Sequence, residues 1–169
     1  LRCLTIPGRD GPIDVMPLSG PTDLETHLDE RLFSLFALAY RPATGEWIDP
    51  HGGAEHALAG RLATVGPAVS KLRTHPLAGL QALRWMATEG LTLDTDLEKN
   101  LHETAPGLSS CKPFLVREEL VRLLGADRPG AALELLRNTG MEALVAPGTR
   151  ADCAAVIDRL PPRRTLRLT

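Results

Sequence analysis

Aromatic side chains supply only 4% of this 169-residue sequence, and neither sign of charge dominates: 19 Lys and Arg stand against 21 Asp and Glu. So few rings argue against a large β-sandwich core. A net charge of −2 removes the broad positive field that identifies many nucleic-acid binders at first sight. Cysteine is equally sparse. Cys3, Cys111 and Cys153 are odd in number, far apart, and match no zinc or redox spacing, so free thiols in a reducing, cytoplasmic setting are expected. No apolar run approaches the roughly 20 residues of a membrane span, and no signal peptide opens the chain. Leu1 stands where a start methionine would, so upstream residues are expected to be missing or removed.

What is present is an ordinary interior. Hydrophobic residues make up 43% and charged residues 24%, with abundant Leu and Ala, a composition that favours packed helices in a chain long enough to bury a core. Basic residues gather near the C-terminus, where Arg150, Arg159, Arg163, Arg164 and Arg167 outnumber Asp152 and Asp158.

The stretch from Phe33 to Gly53 carries the most distinctive signature. An apolar run, Phe33 to Tyr40, meets the turn residues Arg41-Pro42-Ala43-Thr44-Gly45, and a short strand, Glu46 to Asp49, ends in Pro50 and Gly52-Gly53. Proline fixes φ and glycine supplies φ > 0, so the stretch predicts a tight hairpin closed by a second turn. Upstream, residues 2–6 and 13–18 flank a Gly/Asp/Pro turn and predict an antiparallel hairpin. A helix capped by Thr22 or Asp23 follows through Arg31. Downstream come a helix over 54–61 and an extended piece over 62–65. Helices are then expected at 76–90, 95–103, 113–124, 129–139 and 150–160, separated by Gly and Pro breaks. The fold class is therefore α+β, with residues 1–68 as a small mixed part and 69–169 as an all-helical part.

The order of these elements resembles the class II nucleotidyltransferases, that is, the CCA-adding tRNA nucleotidyltransferases and bacterial poly(A) polymerases. Ala37-Leu38-Ala39-Tyr40 with Gly45-Glu46-Trp47-Ile48-Asp49-Pro50-His51-Gly52-Gly53 looks like that family's hairpin segment. Pro76-Leu77 with Leu80-Gln81-Ala82-Leu83-Arg84-Trp85, Gly90-Leu91 through Asp94-Thr95, Arg117-Glu118-Glu119-Leu120 with Leu123-Leu124, and Ala132 to Leu136 with Gly140-Met141 match later segments in order. The resemblance covers roughly residues 13–147. It implies the distal half of a nucleotidyltransferase head (1–68) followed by a helical neck and body (69–169).

The departures bear on activity. The family's Gly-Gly-x-x-Arg-Asp and Asp-x-Asp motifs, whose carboxylates hold two metal ions for phosphoryl transfer, have no counterpart in this sequence. No cofactor is expected in this chain. Magnesium with ATP or CTP would enter only if an upstream part were catalytic. The family's Arg-Arg-Asp-Phe-Thr-x-Asn reads Glu30-Arg31-Leu32-Phe33-Ser34-Leu35-Phe36, which puts Leu32 at the aspartate and Phe36 at the asparagine and leaves Arg31 as the nucleotide-binding candidate. The base-reading Glu-Asp-x-x-Arg reads Thr74-His75-Pro76-Leu77-Ala78, and the family's Glu-Arg-Ile reads Phe114-Leu115-Val116. Losing the hydrogen-bonding groups at such a site costs on the order of 1–3 kcal/mol each. The resemblance thus implies a scaffold kept without its catalytic site.

By the same resemblance Lys71, Arg73, Arg84, Arg117 and Arg122 are the candidate RNA contacts, with a tRNA acceptor stem as the expected partner. A catalytic or partner protein subunit is a further expectation. Alternatives are a fragment or subunit of an active template-independent nucleotidyltransferase, and a helical protein–protein interaction module. Other constellations carry less. His51, His56, Asp49 and Glu55 sit on different elements, and a metal is not expected there. His75 and the Ser109-Ser110-Cys111-Lys112 run read as caps and loop rather than a base and a nucleophile. Gly52-Gly53 before a helix offers backbone N–H groups to a phosphate, although a structural turn is the plainer role.

Overall fold

The computed structural model describes residues 4–8, 11–15 and 23–145. Strands β1 (Leu4–Gly8) and β2 (Gly11–Val15) pair antiparallel, with Gly8 opposite Gly11, as the Gly/Asp/Pro turn requires. The expected helix over 150–160, Cys3, Cys153 and the terminal arginines lie outside the described residues.

Helix α1 (Asp23–Asp29) leads into the organising stretch, where the structure corrects the expected strand. Phe33 makes one isolated bridge to Thr64, and Ser34–Phe36 then winds into a 3₁₀ turn, so only Ala39–Arg41 extends as β3. The turn follows from satisfied polar atoms. Ser34 N–H donates to Ala63 O at 2.9 Å, and its hydroxyl, almost fully buried, donates to the same oxygen at 3.2 Å. Strand β4 (Glu46–Ile48) pairs with β3 across residues 42–45, with Gly45 at φ 72°.

Helix α2 (Gly53–Leu58) and strand β5 (Arg61–Leu62) come next, followed by α3 (Ala68–Thr74), a helix the sequence reading missed. Its first N–H, at Ala68, is capped by Asp96 Oδ2 at 2.9 Å, from 28 residues away. No local cap announces this helix; its cap arrives through tertiary structure. Helix α4 (Ala78–Glu89) stops at Gly90 as expected, and strand β6 (Thr92–Leu93) returns to pair parallel with β5. That two-residue ladder was also missed, since a parallel pair is joined by a crossover rather than a turn. Asp94 then caps α5 (Thr95–Thr104) by accepting the Asp96 N–H at 3.0 Å. Helices α6 (Pro113–Leu124), α7 (Gly130–Asn138) and α8 (Met141–Val145) follow.

Helix α4 is the centre of the packing. Ala78, Leu80, Ala82, Leu83 and Ala87 are buried on it, at helical spacing, against α6 and α7. The small residues let neighbouring helices approach, and the leucines fill the space between them. The main core joins Phe33 and Leu62 to Leu72, Leu83, Leu97, Leu101, Leu123 and Leu136, so residues on both sides of 68 share it. A satellite cluster of Leu28, Ala37 and Val65 sits under the β3–β4 hairpin. Among the described residues no helix is long and apolar enough to cross a membrane.

Candidate nucleic-acid interface

The turn after β4 is built around one carboxylate. Asp49 Oδ1 accepts the Gly53 N–H at 2.7 Å and Oδ2 accepts the Ala54 N–H at 2.9 Å. Burial pushes the Asp49 carboxyl up, but hydrogen bonds from the N–H groups of Ala54, Gly53 and His51 and the charge of His51 outweigh it, leaving the group below its ordinary value. The N-terminus of α2 therefore already holds an anion from its own chain, which answers the phosphate-cradle reading of Gly52-Gly53. The two glycines do different work. Gly52 takes the left-handed conformation at φ 65°, with open space around a Cβ there. At Gly53 a Cβ would lie 2.2 Å from Ser34 O, so bare backbone is what lets α2 seat on the 3₁₀ turn.

The histidines near this turn serve separate neighbours. His51 Nε2 meets Asp29 Oδ1 at 2.7 Å, and His56 Nδ1 meets Ser34 Oγ at 2.7 Å. His75 Nδ1 lies 3.0 Å from Thr74 Oγ1. Ser109 and Ser110 hydroxyls donate to the carbonyls of Pro106 and Gly107, and burial pushes the Cys111 thiol up, away from reactive thiolate.

The positions that resemble nucleotide-binding ones carry apolar side chains and differ in burial, Phe36 being 43% exposed. Leu32 lies partly buried against the main core. Phe36 stacks at a tilt on Trp85, centroids 5.0 Å apart, and meets Phe33 edge-on. Ala78, at the resemblance's arginine position, is buried. Phe114 and Leu115 face solvent.

The candidate cations divide by environment. Arg31 is exposed, with Nη2 2.6 Å from His27 Nε2. Lys71 Nζ donates to the carbonyls of Asp29 (2.8 Å) and Arg31 (2.9 Å), closing the end of α1. Arg73 is exposed and pairs with Glu103. Arg84 is 13% exposed, pairs with the more deeply buried Glu119 at 2.5 Å, and lies 4.0 Å above the Trp85 ring. Arg122 is half exposed and reaches both Glu118 and Glu119 at 3.6 Å. Arg117, five residues before it on the same helix, is exposed. The structure brings Arg84, Glu119 and Arg122 into one network between α4 and α6, and places Arg31 and Lys71 together at α1 and α3.

A family profile described as "Probable RNA and SrmB-binding site of polymerase A" matches residues 90–153. The CC-adding tRNA nucleotidyltransferase of Shouchella clausii is 34% identical over 139 residues, 82% of this chain and 36% of the relative. Poly(A) polymerase I of Haemophilus influenzae is 29% identical over 118 residues. Among solved structures, the CCA-adding enzyme of Bacillus stearothermophilus in complex with CTP superposes with a TM-score of 0.79 at 25% identity, over 92% of this chain and 41% of that one. The Thermotoga maritima CCA-adding enzyme complexed with tRNA gives 0.75 at 19% identity, a likeness of fold, over 88% of this chain and 37% of that one. The chain spans about a third of the length of the curated relatives it matches. Relatives, profile and fold agree with the motifs quoted above, and the chain belongs to the class II tRNA nucleotidyltransferase/poly(A) polymerase-like family.

Proposed function

We propose that this chain binds RNA, a tRNA acceptor stem being the expected class, and that it does so without transferring nucleotides itself. The observation that carries the second half is that Leu32 and Phe36 are apolar, with Phe36 half exposed on the Trp85 ring. A nucleotide-binding site needs hydrogen-bonding groups aimed at sugar and phosphate, and Phe36 instead stacks on Trp85 while Leu32 joins the core. The RNA half is supported by the profile over 90–153 and by the relatives that process tRNA. Arg73, Arg117 and Arg122 are the cations whose side chains reach solvent and so could reach phosphates, since the exposed pairs Arg73–Glu103 and Arg122–Glu118 are weak and exchange readily, although Arg122 also contacts the buried Glu119. Lys71 and Arg84 act instead as positioning groups, one closing α1 and the other tying α4 to α6.

Binding to a tRNA acceptor stem, followed across salt, tests this reading. Affinity should fall steeply with salt, and replacing Arg73, Arg117 and Arg122 by Glu should weaken it and flatten the slope. Unchanged affinity in the triple variant would remove the proposed face. A second reading, a piece or subunit of an active nucleotidyltransferase, is favoured by the fact that the chain covers 36% of its Shouchella clausii relative. It predicts nucleotide addition once a polypeptide carrying the metal-binding carboxylates is supplied.

A further inference from the structure

The β3–β4 hairpin shows its two faces to different surroundings. The paired residues Ala39 and Ile48 pack on the satellite cluster of Leu28, Ala37 and Val65. The next pair, Tyr40 and Trp47, points the other way by the alternation of a strand. A solvent-facing pair is ordinarily polar, yet here it consists of two aromatic rings. Trp47 is 69% exposed and Tyr40 50%, with centroids 5.0 Å apart and planes inclined by 46°. Cross-strand packing between the rings steadies a three-residue hairpin, and both still leave their outer faces in water.

We propose that Tyr40 and Trp47 form a stacking platform for the bases of single-stranded RNA, a site that rests on the RNA-binding reading above. These rings stand on a narrow ribbon whose neighbours Arg41, Thr44 and Glu46 are all exposed. A base needs only a flat π-face, and every base has one, so a pair of open rings suits an unpaired strand without selecting its sequence. Arg41 supplies the complementary charge. Its guanidinium meets Glu46 at 2.5 Å with both side chains about half exposed, and a surface pair of this kind is weak enough to be exchanged for a backbone phosphate.

Tryptophan fluorescence tests the platform, with an eight-nucleotide oligo(A) as the probe. In the unaltered chain, stacking should quench emission. In Trp47→Val, which keeps a β-branched strand residue, quenching should disappear although Trp85 remains, and binding should weaken about tenfold. Trp47→Phe should retain most of the affinity, and the salt slope should be the same in all three, because a ring neutralises no phosphate. If Trp47→Val binds as tightly as the unaltered chain, the platform is wrong while RNA binding stands. If the unaltered chain binds no RNA at any salt, both readings fall together. If Trp47→Val changes the oligomeric mass and leaves oligo(A) affinity alone, the rings are a contact between protein copies and the platform is refuted.

Discussion

Two adjacent glycines offer the sharpest single-residue test of the turn after β4. Gly53→Ala places a methyl 2.2 Å from Ser34 O and 2.7 Å from Leu38 Cδ1, so either α2 or the 3₁₀ turn must shift. Overpacking of this sort costs about 1–3 kcal/mol or more, and a lowered urea midpoint should show it. Gly52→Ala meets no neighbour, and its cost should be confined to the left-handed backbone, about 1–2 kcal/mol. If the two substitutions cost the same, close approach is not what Gly53 provides. Asp49 adds a pH dependence whose sign is set by its depressed folded value. Its contribution is complete above the ordinary carboxyl value of 3.8 and is lost as pH falls through the lower folded value. Asp49→Asn should therefore lower stability at neutral pH and flatten the acid limb of the unfolding profile. An acid limb unchanged by the substitution would mean that the carboxylate is not held by those N–H groups.

Between elements, the Arg84–Glu119 pair is the decisive contact, because both side chains are nearly buried where α4 meets α6. Arg84→Met should be destabilising, since it removes the buried partner of Glu119 Oε2 and leaves the carboxylate only Arg122, 3.6 Å from Oε1. Adding Glu119→Leu should recover part of that loss, and thermal unfolding of the two variants distinguishes a paired charge from lost packing alone. The same contact explains why Arg84 reads from sequence as an RNA ligand. A basic residue in a helix has no mark that says whether it meets solvent or a carboxylate 35 residues away. Elements bounded by their own punctuation were legible. Helix α6 begins at Pro113 and ends at Leu124 as read, and the β3–β4 turn closes at Gly45. Elements created by distant partners were not. Helix α3 takes its cap from Asp96, β5 and β6 pair across an intervening helical crossover, and Ser34 bends the apolar run because its polar atoms find Ala63 O. The turn histidines were legible as structural residues, whereas their individual partners, Asp29 and Ser34, were not.

At the scale of the molecule, one core runs from Phe33 through the central helix α4 to Met141, with Leu32 packed against it and Phe36 stacked on Trp85 at its edge. What remains outside is a helical surface with exposed Arg73, Arg117 and Arg122 and a hairpin with two open rings. RNA binding without nucleotide transfer is the behaviour proposed for this chain. One gel tests it most directly: labelled tRNA lacking its 3′ CCA, incubated with the chain, CTP, ATP and Mg²⁺ at low salt, then run both native and denatured. A retarded band is expected under native conditions and an unextended tRNA under denaturing ones. A tRNA lengthened by one to three nucleotides, or a tRNA that is never retarded, would contradict it.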